Sequence, residues 1–177
     1  MKFINFFRHL HTVNKHRFCV FVHACKVGIF FKGLVHDLSK YSYTEFFNSA
    51  KYYTGYQSPT IKERNDKGYS DIWMHHKGRN KHHFEYWNDL DMKDHMYKSV
   101  KMPIKYVKEM FCDRIAACKI YLGKNYNDSS ALNYFISKKA KDLMYPDTAI
   151  LLEKWLRYLS INGEKKTFKM IRKEKNY

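Results

Sequence analysis

His36 and Asp37 are neighbours in the run Gly33-Leu-Val-His-Asp-Leu-Ser-Lys40. Neutral imidazole and carboxylate are both good ligands for Mn, Fe, Co, Ni or Zn. Adjacent side chains on a helix diverge by about 100°. Such a pair therefore rarely faces one point unless a cation sits between it and a neighbouring helix. The plain alternative is a hydrogen-bonded pair at a helix junction. A His upstream and an Asp downstream, each on another helix, would complete the shell, and His16 and Asp113 are the candidates. His16 shares a helix face with His23, seven residues on, so His23 competes for the first position; His16 is preferred. Asp113 lies beside an apolar stripe, between Met110 and Ala117, where a carboxylate is costly unless paired or metal-bound. Pairing with Arg114 or a Lys is the ordinary alternative. The small Ala116 and Ala117 let another helix come close. A second concentration of imidazoles is His75-His76 and His82-His83, four His in nine residues. His is the commonest metal ligand, but these four could instead form an exposed basic surface for phosphate. His9, His11 and His95 read as surface residues.

Helices must position these groups. Phe18, Phe21, Val22 and Cys25 recur at helical spacing, which predicts a helix over roughly 4–27 that ends near Gly28. Leu34 to Lys40 reads as a short helical stretch. Ser42 or Thr44 caps the next helix, with Glu45 three residues after Ser42, and that helix runs to about Tyr53. Gly55 to Ser70 reads as a polar loop that could close over a substrate. Asp71 to His76 and Lys81 to Trp87 read as helical pieces around Gly78. Pro103 suits the first turn of a long helix with a stripe from Ile104 to Leu122 and an end at Gly123. Helices over about 131–142 and 147–159 follow, with Trp155, Leu156 and Leu159 in the core. The charged segment from Glu164 is either a last helix or frayed. Neither a repeat nor a linker divides the chain, so a single all-α domain over 1–177 is expected.

Length and composition agree. The chain has 177 residues, 45% hydrophobic and 18% aromatic, with 7 Gly and 3 Pro, which excludes collagenous, linker-rich and turn-rich all-β classes. Thirty-three Lys+Arg against 17 Asp+Glu give +16, a field that attracts phosphates. The basic residues are spread along the chain rather than gathered in one tail, which weakens a nucleic-acid reading. Cys19, Cys25, Cys112 and Cys118 form no CxxC pair, arguing against a structural zinc finger and for reduced thiols. The apolar start holds Arg8 and His9 and lacks a cleavage site; the stretch 18–31 is broken by His23 and Lys26. A cytoplasmic protein with no membrane partner is expected.

A His, a His-Asp dipeptide and a distant Asp, all on helices, resemble the HD-domain superfamily of metal-dependent phosphohydrolases. Lys40, three residues after Asp37, is also similar to many members. The chain looks like an uncharacterised bacterial and phage family, through His16-Arg17, Gly33 to Ser42, Trp73 to His83 with Glu85 and Trp87, and Met102 to Cys118. The resemblance implies a helical bundle with His16, His36, Asp37 and Asp113 as metal ligands. Superfamily members with two metals carry extra His between the dipeptide and the last Asp, so His76, His82 and His83 would be further ligands. One or two divalent transition-metal ions are implied, with Asp37 bridging them. Lys40, Lys77 and Arg79 would hold phosphate oxygens, Asn80 would orient a ligand or substrate, and Glu85 would orient a His or carry a proton. The implied activity is hydrolysis, by metal-activated water, of a nucleotide or other small phosphorylated metabolite. The alternatives are a non-enzymatic nucleic-acid-binding module and a dinuclear-iron oxygenase on the same fold.

Overall fold

A computed structural model describes residues 3–177. Its helices are α1 (Phe3–Val27), α2 (Phe30–Val35), α3 (Tyr43–Lys51), α4 (Pro59–Lys67), α5 (Asp71–Arg79), α6 (Ile104–Leu122), α7 (Ser130–Ser137) and α8 (Pro146–Lys173). A short antiparallel ribbon, β1 (Asn88–Leu90) and β2 (Tyr97–Ser99), pairs Asp89 with Lys98. The fold is all-α, as expected.

α1 is the axis. One face buries Val13, Val20, Ala24 and Val27, and α6, α2, α8 and α3 all pack along it. The apolar stripe of α6 buries Val107, Phe111 and Ile115, and α8 buries Leu152, Trp155, Leu156 and Leu159. α2 approaches α1 closely because residue 33 is Gly: a Cβ there would stand 2.5 Å from the Ala24 Cβ. Among the described residues no helix is long and apolar enough to cross a membrane.

Several local expectations are corrected. Leu34 to Lys40 is not one helix. α2 ends at Val35, His36 is extended (φ −54°, ψ 130°), Asp37 is left-handed (φ 53°, ψ 29°), and a 3-10 turn covers Leu38–Tyr41. The segment from Gly55 to Ser70 contains α4, with Pro59 in its first turn and Gly68 at its end. α5 runs through Gly78, whereas 81–87 holds only a 3-10 turn, Phe84–Tyr86. The expected helix over 131–142 is α7 followed by a separate 3-10 turn, Ala140–Leu143. The charged tail is helical. α8 breaks at Gly163 (φ 74°, ψ 168°) and resumes, burying Thr167, Phe168 and Ile171. His9 is buried against Phe46 and Tyr53 rather than exposed.

Candidate metal centre

Side chains from distant segments converge on Asp37. α1 delivers His16, the break after α2 delivers His36 and Asp37, α5 delivers His76, the turn after it delivers His82 and His83, and α6 delivers Asp113. The two Asp37 oxygens face different groups. Oδ2 lies 3.5 Å from His16 Nε2 and 3.2 Å from His36 Nε2; Asp113 Oδ1 lies 3.1 Å and 3.6 Å from the same two nitrogens. Oδ1 lies 3.4 Å from His76 Nε2 and 3.5 Å from His82 Nε2, and His83 joins this second group. Both Asp37 oxygens and Nε2 of His16, His36, His82 and His83 are buried without a hydrogen-bond partner. Lys40 Nζ is 2.5 Å from Asp37 Oδ2 as an ion pair, not an aligned hydrogen bond. An orphaned buried polar atom costs roughly 1–3 kcal/mol. The N and O donors gathered around this carboxylate could hold a divalent transition metal.

The dipeptide solves its geometry by leaving the helix. An extended His36 followed by a left-handed Asp37 turns both side chains toward one point, which successive helical residues would not do. A left-handed non-Gly residue costs roughly 1–2 kcal/mol, and Arg17 restrains the segment that bears it. Its Nε donates to the His36 carbonyl at 2.7 Å, Nη2 to the Leu34 carbonyl at 3.0 Å and Nη1 to the Tyr41 hydroxyl at 3.1 Å.

A second layer of acids aims the imidazoles. Glu109 Oε1 accepts from His36 Nδ1 at 3.0 Å and faces His82 Nδ1 at 3.3 Å. Glu45 accepts from His76 Nδ1 at 2.8 Å and from His75 Nδ1 at 2.6 Å. A carboxylate holding Nδ1–H leaves Nε2 as the lone pair, the tautomer that a ligating His needs. His36, His82 and Glu109 also lie close enough to form a donor set of their own; the bonds to Glu109 account for that grouping.

Charge follows the same layout. Burial opposes ionisation of Asp37, but His36, Lys40 and His76 outweigh it and hold the carboxyl well below its ordinary range. Burial likewise opposes ionisation of Asp113, and the adjacent imidazoles of His16 and His36 hold it low. Burial works against the His36 charge, yet Asp37 and its other acidic partners raise that pKa well above the usual value. Burial, reinforced by neighbouring imidazoles, lowers the pKa of His82 and His83. Burial pushes the Glu85 carboxyl up.

The profile of one sequence family, described as a family of unknown function (DUF5662), matches residues 5–158. The chain belongs to that family. No curated protein and no solved structure matches it. The matched span of this DUF5662 chain contains every residue of the centre, from His16 to Asp113.

All seven ligand candidates, His16, His36, Asp37, His76, His82, His83 and Asp113, thus fall into two groups that share Asp37. His23 does not join them. It sits between Cys112 O at 3.4 Å and Lys119 Nζ at 3.2 Å, and stacks on Phe168. Asp113 makes no ion pair with Arg114 among the described residues. The expected phosphate holders fare unevenly. Lys40 stands at the centre, with 29% of its side chain exposed. Lys77 is half-buried and near enough to Glu85 to affect its charge. Arg79 is exposed and turned back on its own helix, donating to the His75 carbonyl. Asn80 is buried and donates to Ser39 Oγ at 2.7 Å and the His76 carbonyl at 2.8 Å, so it braces the ligand-bearing turn. Glu109 and Arg17 had no role assigned from sequence, and Glu45 only one in helix capping. The only signal for them is position: Glu109 is one helical turn before Asp113, and Arg17 follows His16.

Proposed function

We propose that this chain is a metal-dependent phosphohydrolase of the HD type, acting on a nucleotide or other small phosphorylated metabolite through a two-ion centre. The observation that carries the reading is Asp37: each oxygen faces its own set of buried nitrogens, most of them unpartnered. His16, His36 and Asp113 would hold one ion, His76, His82 and His83 the other, and Asp37 both. Divalent ions in such a pair supply Lewis acidity, activating water and offsetting charge on phosphoryl oxygens. The chain's own part is to bind and neutralise the substrate. Lys40 is partly open to solvent beside Asp37, and Arg114 carries a buried Nε without a hydrogen-bond partner. Both would hold phosphate oxygens as negative charge builds. Glu85, protonated more readily because it is buried and with an unpartnered Oε2, would carry the proton to the leaving group.

The test is elemental analysis of protein produced with Mn, Fe, Co, Ni or Zn, followed by phosphate release from a nucleotide panel. Wild type should retain about two ions per chain. His36→Ala and Asp37→Asn should lose metal and lower phosphate release about 100-fold or more. Wild type that holds no transition metal under any supply would sink the reading. Iron with visible colour and no phosphate release would replace it with the oxygenase.

A further inference from the structure

Basic residues occur along the whole chain, but the far end of α8 is a basic segment in its own right, and folding brings Lys26 of α1 beside it. Between Glu164 and Tyr177 there are six Lys and Arg against two Glu. The break at Gly163 re-aims the helix so that Thr167, Phe168 and Ile171 point into the core. The opposite side then presents Lys165, Lys166, Lys169, Arg172, Lys173 and Lys175, all exposed. Two grooves, of about 650 and 520 Å³, run along this surface and share Lys169. The larger has Tyr158 and Met170 in its wall; the smaller is lined in part by Lys26 of α1, whose Nζ lies over the Phe168 ring.

The acids at the grooves are already engaged: Glu164 pairs with Lys119 at 2.5 Å and Glu174 with Lys154 at 3.1 Å. Among the described residues none of the six cations forms an ion pair. Like charges crowded without counter-charges are unfavourable unless a polyanion neutralises them. Lys166, Lys169 and Lys173 follow one another at about one helical turn, ~5.4 Å, a row that suits regularly repeated anions. From residue 162 to 177 no large apolar side chain among the described residues is exposed, and Ile161, 81% exposed, is the single one just before that segment. A bilayer surface site would normally offer apolar anchors beside its cations. A nucleic-acid strand needs only the cations.

We infer that this surface of α8 and Lys26 is a binding site for the phosphate backbone of a nucleic acid. It lies outside the ion centre and outside the family-matched span, except for Lys26 and Tyr158. The site therefore stands whether or not the centre hydrolyses anything.

The experiment compares two triple variants of equal charge. One is Lys166→Gln, Lys169→Gln and Lys173→Gln; the other, at exposed positions elsewhere, is Lys93→Gln, Lys124→Gln and Lys138→Gln. Binding to fluorescein-labelled single-stranded and duplex DNA is measured by anisotropy over a salt series. Each lost phosphate contact reduces the slope of log K against log salt by about 0.7–0.9. The groove triple should lose roughly 2–3 from that slope, the other triple much less, with thermal melts of both matching wild type. Equal slopes for the two triples would overturn the site. So would wild type that ignores both DNAs but binds vesicles of equimolar phosphatidylcholine and phosphatidylserine.

Discussion

His36 and His82 lie against the same Glu109 oxygen, and Glu45 divides its two oxygens between His75 and His76, so two carboxylates set the aim of three candidate ligands. Glu109→Gln keeps the shape but weakens the acceptor. Loss of such outer partners costs about 10–100-fold in metal affinity, and that range is expected here in a competitive chelator titration, with the helical circular dichroism unchanged. Loss of helicity, or unchanged affinity, would show that Glu109 is packing only. The candidate ligands were legible in the sequence because His and Asp stand out against an aromatic, lysine-rich background. Glu45 and Glu109 were not. Each sits in an ordinary helical run, Tyr43-Thr-Glu-Phe46 and Val107-Lys-Glu-Met110, and nothing local marks an acid whose partner lies 31 or 73 residues away. The left-handed backbone of Asp37 was equally hidden, since neither Gly nor Asn flags it.

Elements set these residues in place through a few tight contacts. Gly33 lets α2 lie on Ala24 and Phe21 of α1, three residues before His36. Gly33→Ala should lower stability by about 1–3 kcal/mol through overpacking and should weaken metal binding, because α2 must lift. Denaturant melts and the same chelator titration check both effects. α4 is anchored by Glu63, which is buried, accepts from Ser70 Oγ at 2.5 Å and Ile72 N at 3.2 Å, and pairs with Lys67 at 2.7 Å. Glu63→Ala leaves the Ile72 N–H unpaired and should cost about 1–3 kcal/mol in thermal or urea unfolding. This helix escaped the sequence reading because it has no apolar stripe. Its run Lys62-Glu-Arg-Asn-Asp-Lys67 is polar all round, and only Pro59 and Gly68 mark its limits. The hairpin escaped for a related reason: its strands are almost wholly exposed, so no alternation of apolar and polar residues was needed to make them. α1, α6 and the first part of α8 were readable because each buries a continuous stripe.

At the scale of the molecule, two buried histidines should make the fold loosen in mild acid. Burial holds His9, with help from Lys40, at a pKa of about 4, and burial also holds His23 at about 4, against an ordinary value of 6.5. Above pH 6.5 neither state binds the proton, so the stability is intact. Between 6.5 and about 4 the unfolded chain binds more protons than the folded one, so stability falls as pH falls and levels off below that window for these groups. The loss is roughly 1–3 kcal/mol per histidine. Urea midpoints across the window should decline, and His9→Phe should flatten the decline. The whole-molecule class, a helical bundle, followed from composition and periodicity; the tail did not, because its charge masks the few apolar residues it buries. Those residues matter. Phe168 lies against Phe111 and His23 from beyond the last family-matched residue, 158. The homologous region and the cooperative folding unit therefore have different boundaries. A fragment trimmed to 5–158 should uncover Phe111 and precipitate or melt early, whereas the intact chain stays monodisperse in light scattering.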